Sequence, residues 1–152
     1  MRDKRKRPAR ERRLETSVGN ELGRAFRGLN RAVSAALRPH GLSAVQGNIL
    51  LTLWARGPLT IGELQKEMAF SSAALSGAID RMERSELLRR VPVESDRRSF
   101  RVEPAPWPAA RRRAVIEALV QAEDEFLAAL GEGDRDRLLR LLRKVAGSRE
   151  SN

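Results

Sequence analysis

The chain has 152 residues, with 30 Lys and Arg against 20 Asp and Glu, a formal charge of +10. A polyanionic partner is therefore expected, nucleic acid before an anionic membrane, and the length suits one fold with a real core. There is no cysteine and a single histidine, His40, which excludes disulfides, thiol redox sensing and cysteine nucleophiles and leaves little for a transition-metal site, so no cofactor is expected.

Residues 1 to 13 hold eight basic and two acidic groups, +6 of the +10. A leader this dense reads as a disordered basic arm that either tracks phosphates or only aids solubility. Residues 14–152 then read as one domain. Glu15, Glu21, Arg24, Arg27 and Arg31 follow the arm where a secretory signal would need an apolar stretch. The uncharged stretch Leu42 to Ala55 is too short to span a bilayer. No membrane association is expected, and the protein is placed in the cytoplasm.

Leu14, Val18, Leu22, Phe26, Leu29, Val33 and Leu37 recur every three or four residues and predict a long helix ended by Pro39 and Gly41. Ser43 is a candidate N-cap for a second helix carrying Val45, Ile49, Leu50, Leu53 and Trp54, stopped by Gly57 and Pro58. Thr60 and Glu63 have capping-box spacing for a short third helix, Ile61 to Met68. Ser71 caps a fourth, to about Arg84, with Leu75, Ala78, Ile79 and Met82 inward.

The period then changes to two. Leu87 to Val93 and Ser99 to Val102 read as a hairpin joined by Glu94 to Arg98. Pro104, Pro106 and Pro108 break the chain before a helix from about Ala109 to Leu130. Gly131 ends that helix, and Asp134 is the expected cap of a last one through Ala146. The fold class is therefore mainly α with a small β-hairpin wing, a winged helix-turn-helix (42–103) flanked by N- and C-terminal helices (14–38 and 105–147). Those flanking helices carry more apolar face than one small core can use, which points to a second copy and a homodimer.

A recognition helix must present small or polar side chains to base edges in the major groove. Ser71, Ser72, Ala73, Ser76 and Gly77 meet that need on the fourth helix, and Arg81 and Arg84 are placed to meet phosphates. The hairpin concentrates Arg89, Arg90, Arg97, Arg98 and Arg101 against Glu94 and Asp96, as suits a wing at the backbone or minor groove. An ordinary amphipathic helix and a solvated turn are the plain alternatives.

Several short motifs carry a resemblance. Gly-Leu-Ser-Ala-Val-Gln at 41–46, Leu-Thr-Ile-Gly-Glu-Leu at 59–64, Ile-Asp-Arg-Met-Glu at 79–83, Leu-Leu-Arg-Arg at 87–90 and Asp-Arg-Arg at 96–98 resemble the DNA-binding half of the multiple-antibiotic-resistance regulator (MarR) family. The resemblance implies a transcriptional regulator of double-stranded DNA, most simply a repressor. It also implies that Arg97 and Arg98 belong to the wing tip and that Asp80 pairs with Arg98 to hold the wing against the recognition helix.

Three departures stand out. Ser76 and Gly77 replace the Thr-Arg or Ser-Arg step usual in the family, removing the obvious guanine reader. Glu86 replaces the glycine before the first wing strand, and Pro104 to Pro108 replaces the usual Thr and Gly. A weakly specific DNA-coating protein or a winged-helix protein-interaction module is the alternative reading. The family also raises a small aromatic or phenolic effector, for which His40 and Trp54 are the residues to inspect, although a capping imidazole and a core indole are the commoner explanations. No catalytic residues are expected, because no nucleophile has a plausible base and no carboxylate pair stands out.

Overall fold

Local hydrogen bonds start three of the helices where the sequence places them. In the computed structural model, which describes residues 17–68, 71–93 and 96–147, Ser43 and Gln46 form a reciprocal capping box, Gln46 N donating to Ser43 Oγ at 3.3 Å and Ser43 N to Gln46 Oε1 at 2.8 Å. Thr60 and Glu63 repeat it, with Thr60 N to Glu63 Oε2 at 2.8 Å and Glu63 N to Thr60 Oγ1 at 3.2 Å. The Thr60 backbone and hydroxyl together hold the Glu63 carboxyl below the usual carboxylate range. Each pair satisfies N–H groups that a helix start would otherwise leave bare.

Among the described residues the elements are α1 (Val18–Leu37), a 3₁₀ turn (Arg38–His40), α2 (Ala44–Arg56), α3 (Ile61–Met68), α4 (Ser72–Arg84), β1 (Leu88–Val93), β2 (Asp96–Pro104), α5 (Ala109–Phe126) and α6 (Glu132–Gly147). The expected basic arm at 1–13 lies outside the described residues. No described helix is long and apolar enough to cross a membrane.

Several boundaries differ from expectation, three of them with a visible local cause. β2 begins at Asp96 rather than Ser99, because Val93 pairs with Asp96 after a register shift. α5 stops at Phe126, four residues short of Leu130, and Leu130 N closes a turn on Leu127 O at 2.9 Å. α6 starts at Glu132, with Asp134 N and Arg135 N both donating to Gly131 O at 3.0 Å. Gly131 therefore opens the last helix and does not close the one before, which has already ended at Phe126, and Asp134 lies inside the first turn of α6.

The chain forms two compact units, Val33–Leu119 and the remainder. Val33–Leu119 holds an apolar core in which Leu37, Ile49, Leu50, Leu53, Leu64, Leu75, Ile79, Met82, Leu88, Val102 and Val115 are essentially buried. α2 buries Ala44, Gly47, Ile49, Leu50 and Leu53. At Gly47 a Cβ would sit 2.3 Å from Leu37 Cδ1, so the missing side chain is what lets Leu37 press against this helix.

β1 and β2 are antiparallel, with Leu88 opposite Pro104 and Arg90 opposite Val102. The hairpin base is fastened by Leu59, which exchanges two backbone hydrogen bonds with Val102, at 2.7 and 3.1 Å. The arrangement fixes where the hairpin leaves the core.

The other unit packs differently. In its described part Ala122 is buried, Phe126 lies where a Cβ on Gly28 would meet its ring at 2.7 Å, and Arg135 reaches Asp124 at 2.7 Å. Val18, Leu22, Phe26, Leu139, Leu141, Leu142 and Val145 all stay exposed. Leu22, Phe26, Leu139 and Leu142 border an apolar groove of about 410 Å³.

Candidate nucleic-acid interface

α4 is set by its ends. Ser71 is its N-cap, its hydroxyl oxygen accepting from Ala74 N at 3.4 Å, which leaves the hydroxyl proton free for a phosphate. At the other end Leu87 N donates to Met82 O at 2.9 Å and Glu86 N to Glu83 O at 3.0 Å, a Schellman closure. Its left-handed residue is Glu86, with φ 55°.

Glu86 thus keeps the backbone shape of a glycine position without the glycine. A non-glycine residue pays about 1–2 kcal/mol for that conformation, and this side chain is exposed. Glu86→Gly is expected to raise unfolding stability by about 1 kcal/mol, read as a higher urea midpoint at unchanged m-value. A midpoint that falls would mean the glutamate makes a compensating contact.

Along the helix, Leu75, Ala78, Ile79 and Met82 are buried, while Ala73, Arg81 and Arg84 are exposed and Ser76 and Gly77 half-buried. The small outward residues are therefore on one accessible face, as the period predicted. The side chain of Ser72 lies outside the described residues. A Cβ on Gly77 would meet only Arg81 Nη1, at 3.4 Å, so the surface there is bare backbone. Gly77, Ala73 and Arg81 join Ser43 and Gln46 around a shallow cleft of about 350 Å³.

Among the described residues one side chain makes the ion pairs between the hairpin and α4. Arg90 on β1 donates from Nη2 to Asp80 Oδ1 and from Nη1 to Glu83 Oε2, and its guanidinium lies over the Phe100 ring at 4.7 Å. Asp80 and Glu83, three apart, share a helix face. The Asp80 hydrogen bond, with help from Glu83 and against partial burial, holds the Arg90 pKa above its usual value. Arg90 Nε is buried without a hydrogen-bond partner among the described residues. On the same strand Arg89 pairs with Glu103.

The family resemblance implies that Asp80 holds Arg98. The described partner of Asp80 is Arg90, and the side chains of Arg97 and Arg98 lie outside the described residues, although their backbone belongs to β2. The pairing of Arg90 with Glu83 and its packing on Phe100 escaped the sequence reading, which named Arg90 only as one of five hairpin arginines. Only the Asp80 and Glu83 spacing hinted at a shared partner, and with five arginines on the hairpin it could not select one.

Trp54 finds Trp107, edge to face at 5.4 Å and 76°. Arg112 lies over Trp54 and also donates to the Trp54 carbonyl at 3.4 Å, and Arg111 lies over Trp107 at 4.2 Å. The two indoles border an open cleft of about 380 Å³. His40 sits in the 3₁₀ turn, three residues before the Ser43 cap of α2, and does not border this cleft.

Comparison with known proteins places this geometry. The MarR family model matches residues 42–100, the segment from the start of α2 to the wing. HTH-type transcriptional regulator PecS of Dickeya dadantii is 32% identical over 120 residues, 77% of this chain and 72% of that protein. The chain belongs to the MarR family. It is a helix-turn-helix transcriptional regulator that binds DNA, with α3 and α4 as the helix-turn-helix and the β1–β2 hairpin as the wing.

HTH-type transcriptional repressor NicR of Pseudomonas putida is 30% identical, over 88% of this chain and 85% of its own. Among solved structures, Bordetella bronchiseptica BpsR, described through the regulation of its DNA binding by 6-hydroxynicotinic acid, shares the fold with TM-score 0.78 at 24% identity. That likeness covers 87% of this chain and 94% of BpsR. These MarR-family relatives carry names of regulators, not of enzymes.

Proposed function

We propose that this MarR-family regulator is a cytoplasmic homodimeric repressor that lays α4 of each copy in successive major grooves of one operator. The carrying observation is the accessible face of α4, small and polar from Ser71 to Gly77 and basic at Arg81 and Arg84. Arg97 and Arg98 act at the backbone or minor groove. The exposed apolar groove bordered by Leu22, Phe26, Leu139 and Leu142 supports a second copy as its occupant, since a patch of that kind is rarely left to water. The name of the related NicR supports repression.

A planar aromatic acid is the effector this reading favours, with Trp54, Trp107 and Arg112 as its best-placed receptors: indole faces take a ring and an arginine takes a carboxylate. Gly77 favours a second reading, weakly specific coating of DNA, because its bare surface offers no side chain to a base edge. Selection of bound duplexes from a random pool separates the two. A palindrome with half-sites about one helical turn apart supports the regulator, whereas an unenriched pool with a steep salt slope supports coating. In the same assay Arg97→Ala with Arg98→Ala is expected to weaken binding about tenfold or more, and unchanged affinity would remove the wing contact.

A further inference from the structure

We infer that Arg90 is the positioning residue of the wing, a two-point clamp whose fork holds Asp80 and Glu83 of α4 and so sets the angle between recognition helix and hairpin. This rests on the DNA-binding reading above, and it assigns to β1 a role that the family resemblance implied for the wing tip.

Three observations carry it. The guanidinium spends one Nη on each carboxylate, a two-donor geometry that a single ammonium cannot reproduce. Its face rests on Phe100, two residues before the Val102 that pairs with Arg90, so the side chain is gripped from the second strand of the hairpin as well. Its Nε is buried without a partner among the described residues, which marks a side chain packed into place, not one reaching out for phosphate.

The contacts join three elements at one point. Arg90 lies between Leu88, buried in the core, and the hairpin tip, and among the described residues it makes the ion pairs that join the wing to α4. Beyond it the regular ladder runs for only two more pairs, Val91 with Arg101 and Pro92 with Phe100, before the register shifts between Pro92 and Val93. A hairpin of two strands has little rigidity of its own; its direction is decided where it is held.

The clamp makes an unusual sign prediction. Asp80 and Glu83 are negative groups on the helix that enters the groove, so simple charge arithmetic says that neutralising them strengthens DNA binding. A positioning clamp says the reverse. In the full-length protein, Asp80→Asn with Glu83→Gln is expected to weaken binding to its selected duplex about tenfold, in the range found for groups of one ion-pair network.

Arg90→Lys, which keeps the charge and the apolar stem, is expected to bind as weakly as Arg90→Gln. Adding Arg90→Gln to the Arg97→Ala, Arg98→Ala variant is expected to change affinity less than about twofold, because a wing without its arginines gains nothing from being aimed. Thermal unfolding of each variant accompanies the titrations, and Arg90→Lys keeps the test readable where the glutamine variant fails to fold.

Tighter or unchanged binding by the Asp80, Glu83 variant would overturn the clamp. So would wild-type affinity in Arg90→Lys, or effects that multiply in the triple variant, since each would make Arg90 an independent phosphate contact. Should Arg97→Ala with Arg98→Ala itself bind normally, the wing contact falls and the clamp with it, an outcome distinct from the other three.

Discussion

Phe26→Glu is expected to turn a dimer into a monomer and to lower operator affinity by two orders of magnitude or more. Phe26 is 68% exposed on α1 and borders the apolar groove of its unit. Covering a phenylalanine side chain is worth about 1.5–3 kcal/mol, and a two-fold interface counts it twice. The substitution removes both contributions and asks the interface to bury two carboxylates as well. A protomer alone reaches one half-site, which loses most of the binding free energy of a paired site.

Because the ring is exposed in the single copy, the fold of the protomer should survive. Sedimentation velocity and circular dichroism together check this: a monomer of native helicity is the expected result. A variant that still sediments as a dimer would move the interface away from this groove.

Ala73→Glu is expected to abolish detectable specific binding, a loss of at least about a hundredfold, while leaving the protein as stable as before or slightly more so. Ala73 is exposed in the first turn of α4, where a carboxylate favours the helix by about 0.3–1 kcal/mol through its interaction with the N-terminal dipole. The same carboxylate in the major groove faces phosphates on both sides with no cation to meet it. Opposite signs for stability and affinity separate a DNA-contacting position from a structural one. Duplex titration beside urea unfolding reads both, and retained affinity would show that this end of α4 does not enter the groove.

Much of the architecture was open to a reader of the residues because its causes are local. Ser43, Thr60 and Ser71 cap their helices through bonds spanning three residues, so spacing alone exposes them. Leu75, Ala78, Ile79 and Met82 are buried because a helix repeats its faces every three or four positions. Glu86 occupies a left-handed turn although its side chain argues against one, since the closing bonds from Leu87 and Glu86 to α4 require that shape. Gly131 was misread, because a glycine between two helices can close one or open the next, and the acceptor role of its carbonyl is not written in its identity.

The chain by itself determined the order of elements, the capped starts of α2, α3 and α4, and a family likeness strong enough to name a DNA-binding regulator. Tertiary structure alone decided that Asp80 and Glu83 meet Arg90, and that Trp54 meets Trp107, fifty-three positions later in the chain. The reason is physical: helix caps and periodic faces depend on neighbours within one turn, but a choice among five similar arginines depends on strand register and on where the core releases the hairpin.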